Sequence, residues 1–236
     1  APLLLPGVFV TDVLASMVAT AATHLERVAE DLRRASFGEV DHEARWMDGT
    51  QIRTVADEQA GAALDELFAR SFPGHGRIIE DREPVSGDGV HEWHIDPIDG
   101  SANHLRGIPY AALTCGLLRD GLPVLGVVHD LLNGTTFTAT SGGGAWRHAK
   151  GRRTPMAVSN VSELADSMTV LHLARRGPLM GRVGALERML WSVRKIRCMG
   201  SIALDLALLA GGQVDLLVAG RGGPQRLLDI LGGLVL

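Results

Sequence analysis

The sequence predicts a mixed α+β and α/β fold in two parts, and three patterns along the chain point to it. Apolar residues at three- and four-residue spacing mark helices in the N-terminal part. Apolar runs of strand length, separated by hairpin-type turns, fill 112–140. From 168 onward strand-like and helix-like segments alternate, the signature of a layered α/β unit. The chain is therefore read as an N-terminal α+β domain over 1–145 and a C-terminal α/β domain over 146–236.

In order, residues 11–34 place Val13, Met17, Ala21, Leu25, Val28 and Leu32 on one helical face, with Thr11 or Asp12 as the cap. The polar stretch 38–51 is a connection with a short strand around Arg45-Trp46-Met47. A second helix over 55–70 stops before Phe72-Pro73-Gly74. Arg77-Ile78-Ile79 reads as a short buried strand, and 83–92 as a polar loop. Strands follow at 112–118, 123–129 and 135–140, turned by Arg119-Asp120-Gly121 and Leu132-Asn133-Gly134. Ser141-Gly142-Gly143-Gly144 is a tight connection, not a nucleotide loop, since no helix with a Lys-Ser/Thr end follows it. The second part reads as a strand at 168–173, a helix at 180–194, a strand at Ile196-Arg197, a helix at 201–210 and a strand at 214–218. Trp46, Trp146 and Trp191 are assigned to the core or a domain edge.

Composition bounds what the chain can do. Its 236 residues suffice for a substantial core, and 46% apolar with 21% charged residues is ordinary for a globular protein. A net charge of −4 argues against a nucleic-acid surface. Cys115 and Cys198 are too few for a disulfide framework and lack metal-ligand spacing, so a reducing, cytoplasmic setting is expected. No apolar run is long enough to span a bilayer, and Leu3-Leu4-Leu5 is too short for a signal core. The expected partner is a small molecule, not nucleic acid or a membrane. None of the nine histidines forms a His-x-x-x-His pair, which disfavours a zinc site of that type.

The most informative stretch is Asp96-Pro97-Ile98-Asp99-Gly100-Ser101. Two carboxylates three residues apart suit a hard divalent cation, which takes oxygen ligands and is often shared with a substrate phosphate. Pro97 stiffens the turn and biases Asp96 toward an extended backbone. Asp96 would then end a strand while Asp99 opens the next turn, so that both side chains converge. Gly100 allows close backbone approach, and Ser101 is the candidate helix cap beside amides that would face a phosphate. Asp57 at a helix start, Glu80 after an apolar strand, and Asp229 before Ile230-Leu231-Gly232-Gly233 are the other acids placed where they can meet in a cleft.

These residues carry a resemblance. The segment 93–109, with its Asp-Pro-Ile-Asp-Gly-Ser-x-Asn core and Gly107-Ile108-Pro109, resembles the first signature of the inositol monophosphatase family. Thr54-Val55-Ala56-Asp57 matches that family's Thr-x-x-Asp, and Ile79-Glu80-Asp81 resembles its Gly-Glu-Glu. Gly126-Val127-Val128, Gly144-Ala145, Met199-Gly200-Ser201 and Gly211-Gly212-Gln213-Val214-Asp215 follow in the family order.

The resemblance implies a magnesium-dependent, lithium-sensitive phosphomonoesterase, a five-layered αβαβα sandwich and a homodimer. By position, Glu80, Asp96, the Ile98 carbonyl, Asp99 and Asp229 would hold Mg2+, with Asp96 bridging two ions. Glu80 and the Ser101 hydroxyl would orient water, and Asp57 would fix that hydroxyl. Ile98, Asp99, the amides of Gly100 and Ser101, the segment Gly200, Ser201 and Ile202, and Asp229 would line the substrate side.

The chain also departs from the pattern. An ungapped count puts Arg226 where the second signature has its aspartate, while a three-residue loop insertion puts Asp229 there, and loops absorb insertions cheaply. The family's inositol-recognising glutamate falls on Ala219. The sequence stops at Leu236, inside or just after the helix that Asp229 would open, so a truncated fragment is expected. Histidinol-phosphate or nucleotide 3′-phosphatase chemistry, and a degenerate homologue that binds without turnover, stay open beside the leading reading.

Overall fold

The computed structural model describes residues 6–35, 44–47, 51–173 and 183–220. The second-signature candidates Arg226 and Asp229 lie outside these residues. Helix α1 (Pro6–Ala35) and helix α2 (Val55–Ser71) flank a small hairpin of β1 (Arg45–Met47) and β2 (Gln51–Arg53). The first helix starts earlier than expected, at Pro6, so Thr11 and Asp12 lie inside it instead of capping it. Proline is well suited to a first helical turn, where its missing N–H goes unneeded. The buried stripe is Leu14, Ala21, Leu25, Val28 and Leu32, and Val13, assigned to that face, is 58% exposed.

The seven-stranded sheet has the order β3–β4–β5–β6–β7–β8–β9. It comprises β3 (Gly76–Ile79), β4 (His91–Asp99), β5 (Ala112–Arg119), β6 (Leu122–Asp130), β7 (Thr136–Thr140), β8 (Gly144–Ala149) and β9 (Arg152–Pro155). Only β3 and β4 pair in parallel; the rest form an antiparallel meander. Asp120-Gly121 and Lys150-Gly151 turn their hairpins with positive φ at both residues, as tight two-residue turns of right-handed twist require. The last hairpin, β8–β9, was not anticipated. It carries the sheet to Pro155, so we propose the division between the two units after β9 and not at residue 145.

One face of this sheet buries Leu113, Cys115, Leu117, Leu125 and Val127 against α1 and α2. The other buries Ala112, Val128 and Phe137 against Ala203, Leu204 and Ala207 of α5 (Ile202–Ala210). Beyond α5 lies a parallel three-stranded sheet of order β11–β10–β12, from β10 (Met168–Leu173), β11 (Lys195–Arg197) and β12 (Leu216–Gly220). Helix α4 (Val183–Ser192) connects β10 to β11. Helices, large sheet, helix and small sheet thus stack as an α+β sandwich. Trp191 is 85% exposed and belongs to no core.

Candidate active site

Strand β4 sets the site. Trp93 and Ile95 face the helical side and are fully buried, with the Trp93 ring 5.0 Å from Phe68 and 4.7 Å from Phe72. His94 and Asp96 therefore point to the opposite face. Simple alternation would then separate Asp96 from Asp99, which are an odd number of residues apart. The register with β5 shows how they meet: Asp96 pairs with Thr114 and Asp99 with Ala112, so three residue steps on β4 match two on β5. This is a β-bulge, and Pro97, which has no amide to give the ladder, sits within it. The extra residue returns Ile98 to the helical core beside Trp93 and Ile95 and puts Asp99 on the face of Asp96. The strand continues to Asp99, so both acids belong to β4, where a turn at Asp99 was expected.

A cleft of about 350 Å³ opens at this end of the sheet. Asp57, Glu80, Asp96, Ile98, Asp99, Gly100, Ser101 and Gly200 all line it. Ser201 and Ile202 do not; they are buried behind it, and the Ser201 hydroxyl donates to Asp99 Oδ2 at 2.6 Å. The Ala203 amide donates to the same oxygen at 2.7 Å, which ties β4 to the start of α5. Asn103 adds a second tie, donating from Nδ2 to the carbonyls of Tyr110 (2.8 Å) and Met199 (2.7 Å).

Asp57 serves two roles at once. It completes a capping box with Thr54 at the start of α2, its Oδ2 accepting from the Thr54 amide at 2.9 Å and from the Thr54 hydroxyl. Its Oδ1 lies 2.8 Å from Ser101 Oγ, which is also 2.8 Å from the Ile98 carbonyl. A hydroxyl has one proton for these two acceptors. Burial pushes the Asp57 carboxyl above its ordinary value, against the pull of its hydrogen bonds from Thr54 and Ser101. Ser101 is not the helix cap. Gly100 is, at φ 96°, and Ser101 opens the short helix α3 (Ser101–Leu105) with its side chain turned to Asp57.

Charged and titratable residues to which the sequence reading gave no role also line the cleft: Arg53, Glu58, Asp81, Arg82 and His172. Arg53 pairs with Glu58 (3.1 Å) and lies 3.9 Å from Asp81, while Arg82 reaches Asp65 at 3.6 Å. Among the described residues six acids thus face two arginines. An anionic substrate enters such a cleft only with cations to offset the acids, and the donors present are carboxylate and carbonyl oxygens, the set for a hard divalent ion. Glu80, Asp96 and Asp99 do not all come within 4.8 Å of one another.

Among the described residues, one group does have metal-ligating atoms within 4.8 Å of one another: His75, Asp88 and His91. It lies at the opposite end of β3 and β4, about 16 Å from Asp96 at 3.3 Å per strand residue. Trp93 Nε1 donates to His75 Nδ1 at 3.1 Å, which leaves the proton of the neutral ring on Nε2. The His75 and His91 rings stack at 4.5 Å and 11°, so their in-plane lone pairs run side by side. Asp88 accepts from the amides of Val90 and His91. This arrangement anchors a loop, and a metal there would have to break the Trp93 bond and the stack.

The sequence profile of the inositol monophosphatase family matches residues 11–236. The chain belongs to this family. It is 29% identical over 240 residues to inositol monophosphatase 1 of Solanum lycopersicum, covering 94% of this chain and 81% of that one. With inositol-1-monophosphatase of Mesorhizobium japonicum it shares 33% over 184 residues, covering 76% and 67% of the two chains. The crystal structure of the extragenic suppressor protein suhB from Bartonella henselae superposes with a TM-score of 0.84 at 25% identity, covering 93% of this chain and 83% of that one. Members of the family are phosphoric monoester hydrolases that depend on a metal. No helix among the described residues is long and apolar enough to cross a membrane.

Proposed function

We propose that this inositol monophosphatase family member hydrolyses a small phosphomonoester with Mg2+, in the cleft at the end of β4. The observation that carries the reading is the bulge at Pro97, which turns Asp96 and Asp99 onto one face of β4, in the cleft that Glu80 also lines. Glu80, Asp96, the Ile98 carbonyl and Asp99 would hold magnesium, with Asp229 as a further ligand from outside the described residues. Bound there, the ion supplies Lewis-acid charge that offsets the phosphate and makes water a stronger nucleophile at neutral pH.

The protein's own groups do the rest. Glu80 and the Ser101 hydroxyl orient the attacking water, and Asp57 holds that hydroxyl from 2.8 Å away. The amides of Gly100 and Ser101 face the phosphate oxygens at the tight turn into α3. Asp99 is kept in place by Ser201 and the Ala203 amide, so Ser201 supports a ligand instead of touching substrate. We place the reaction in the cytoplasm and expect a lithium-sensitive homodimer, as in the resemblance.

The test is phosphate release from inositol, sugar, histidinol and nucleotide monophosphates, with and without magnesium. Release that needs magnesium and is abolished by Asp96→Asn supports the reading. A purified chain that releases phosphate from none of these esters overturns it in favour of a binding protein.

A further inference from the structure

His172 stands on β10 and lines the same cleft from the side of the small sheet, opposite the acids of β4. Its side chain is mostly buried, and its Nδ1 lies 3.5 Å from Asp205 Oδ2. Among the described residues neither atom has another hydrogen-bond partner. Asp205, on α5, is fully buried, and its other oxygen accepts from the Tyr110 hydroxyl at 2.8 Å. A buried carboxylate oxygen without a donor is costly, and His172 Nδ1 is the donor placed to meet it after a small ring movement. The proton on Nδ1 then leaves Nε2 as the nitrogen presented to the cleft. In the register of the small sheet the residue directly beside His172 is the small Ala219.

We infer that His172 reads a hydroxyl on the alcohol part of the substrate, with Asp205 and Tyr110 as its positioning residues. A substrate hydroxyl can donate to that Nε2. The inference rests on the phosphomonoesterase reading and concerns this residue: esters whose alcohol carries a further hydroxyl should depend on His172, and esters without one should not. Ala219 offers no polar side-chain atom, so among the described residues the imidazole is the polar side chain at this part of the small sheet that lines the cleft.

The test compares inositol 1-phosphate with 4-nitrophenyl phosphate, an ester with no spare hydroxyl, in wild type, His172→Ala, His172→Gln and Asp205→Asn. His172→Ala should lower kcat/KM for inositol 1-phosphate about 10- to 100-fold, mainly through KM, and leave 4-nitrophenyl phosphate within about threefold. Glutamine, whose amide reaches near the place of Nε2, should recover part of the loss. Asp205→Asn should shift the selectivity ratio in the same direction. Equal losses on both esters, or none on either, would overturn the assignment. Calorimetric binding of inositol 1-phosphate gives a readout independent of turnover. A wild type that binds but releases no phosphate sinks the phosphatase reading alone, whereas His172→Ala binding as tightly as wild type sinks the role of His172.

Discussion

Asp99 accepts hydrogen bonds from Ser201, at 2.6 Å across 102 residues of chain, and from the amide two residues further on. A carboxylate of the large sheet is thus oriented by the first turn of the helix sandwiched between the two sheets. Ser201 also caps that helix, accepting from the Leu204 amide. Ser201→Ala should therefore cost about 2 kcal/mol, the sum of a lost cap and a lost bond to a buried charged group. It should also lower kcat about 10-fold or more while leaving substrate specificity unchanged. Urea denaturation and initial rates on the variant check both; full activity with lowered stability would make Ser201 a cap and nothing else.

Ser101 and Asp57 form the second such link. Asp57→Asn keeps an oxygen for the cap but removes the carboxylate facing the hydroxyl, so kcat should fall about 10- to 1,000-fold with a stability loss below that of Asp57→Ala. Ser101→Thr preserves a hydroxyl and should retain more activity than Ser101→Ala. Rates for the four variants, set beside their unfolding midpoints, separate orientation of the hydroxyl from capping of α2. Equal activity in Ser101→Thr and Ser101→Ala would remove the hydroxyl from the reaction.

What the sequence made legible is local. Asp96, Asp99, Gly100 and Ser101 could be read because their chemistry lies within one turn, and Asp57 because a capping box has a fixed spacing. The convergence of Asp96 and Asp99 was expected too, but from a turn at Asp99; the actual cause is a bulge that shows only in the pairing of β4 with β5. His172 and Arg53 reach the cleft only through the packing of the small sheet and the β1–β2 hairpin, and nothing near them in the chain marks them. Hairpin β8–β9 did leave a signal in Lys150-Gly151, but β9 is short and exposed and β8 only half-buried, so neither carries the apolar run of a core strand. Ser201 and Ile202 were placed in the cleft from position alone, and burial put them behind it.

Gly100 should tolerate no side chain. Its φ of 96° lies where L-residues are strained, and a Cβ would come 3.1 Å from the Tyr110 carbonyl. Gly100→Ala is expected to cost at least about 1–2 kcal/mol and to displace the amides of the turn, lowering kcat/KM more than a surface substitution of equal ΔΔG. Thermal melts and kinetics on Gly100→Ala, with Gly89→Ala as a control at an open positive-φ site, check it. Equal effects at both positions would mean that backbone strain alone matters.

His129, inside β6, should make the fold sensitive to acid. Its Nδ1 is 2.9 Å from the Thr136 hydroxyl, which gives its own proton to Glu26, so the ring donates from Nδ1. Its Nε2 is buried without a partner among the described residues, and an imidazolium there would strand an N–H. Burial accordingly lowers the His129 pKa to about 4, with Glu26 opposing the shift. The unfolded chain takes up this proton near its ordinary value of 6.5 and the folded chain does not until about 4. Stability conferred by the neutral ring is thus intact above about pH 6.5, falls as pH drops toward 4, and levels off below that, a loss of up to about 3 kcal/mol. His129→Asn keeps a donor toward Thr136 without the titration, so its stability should decline less over this range. The other histidines held below their ordinary value, His24, His75, His104 and His148, remain in both proteins and cancel in the comparison. Parallel pH profiles for wild type and His129→Asn in urea unfolding would show that His129 does not govern acid sensitivity.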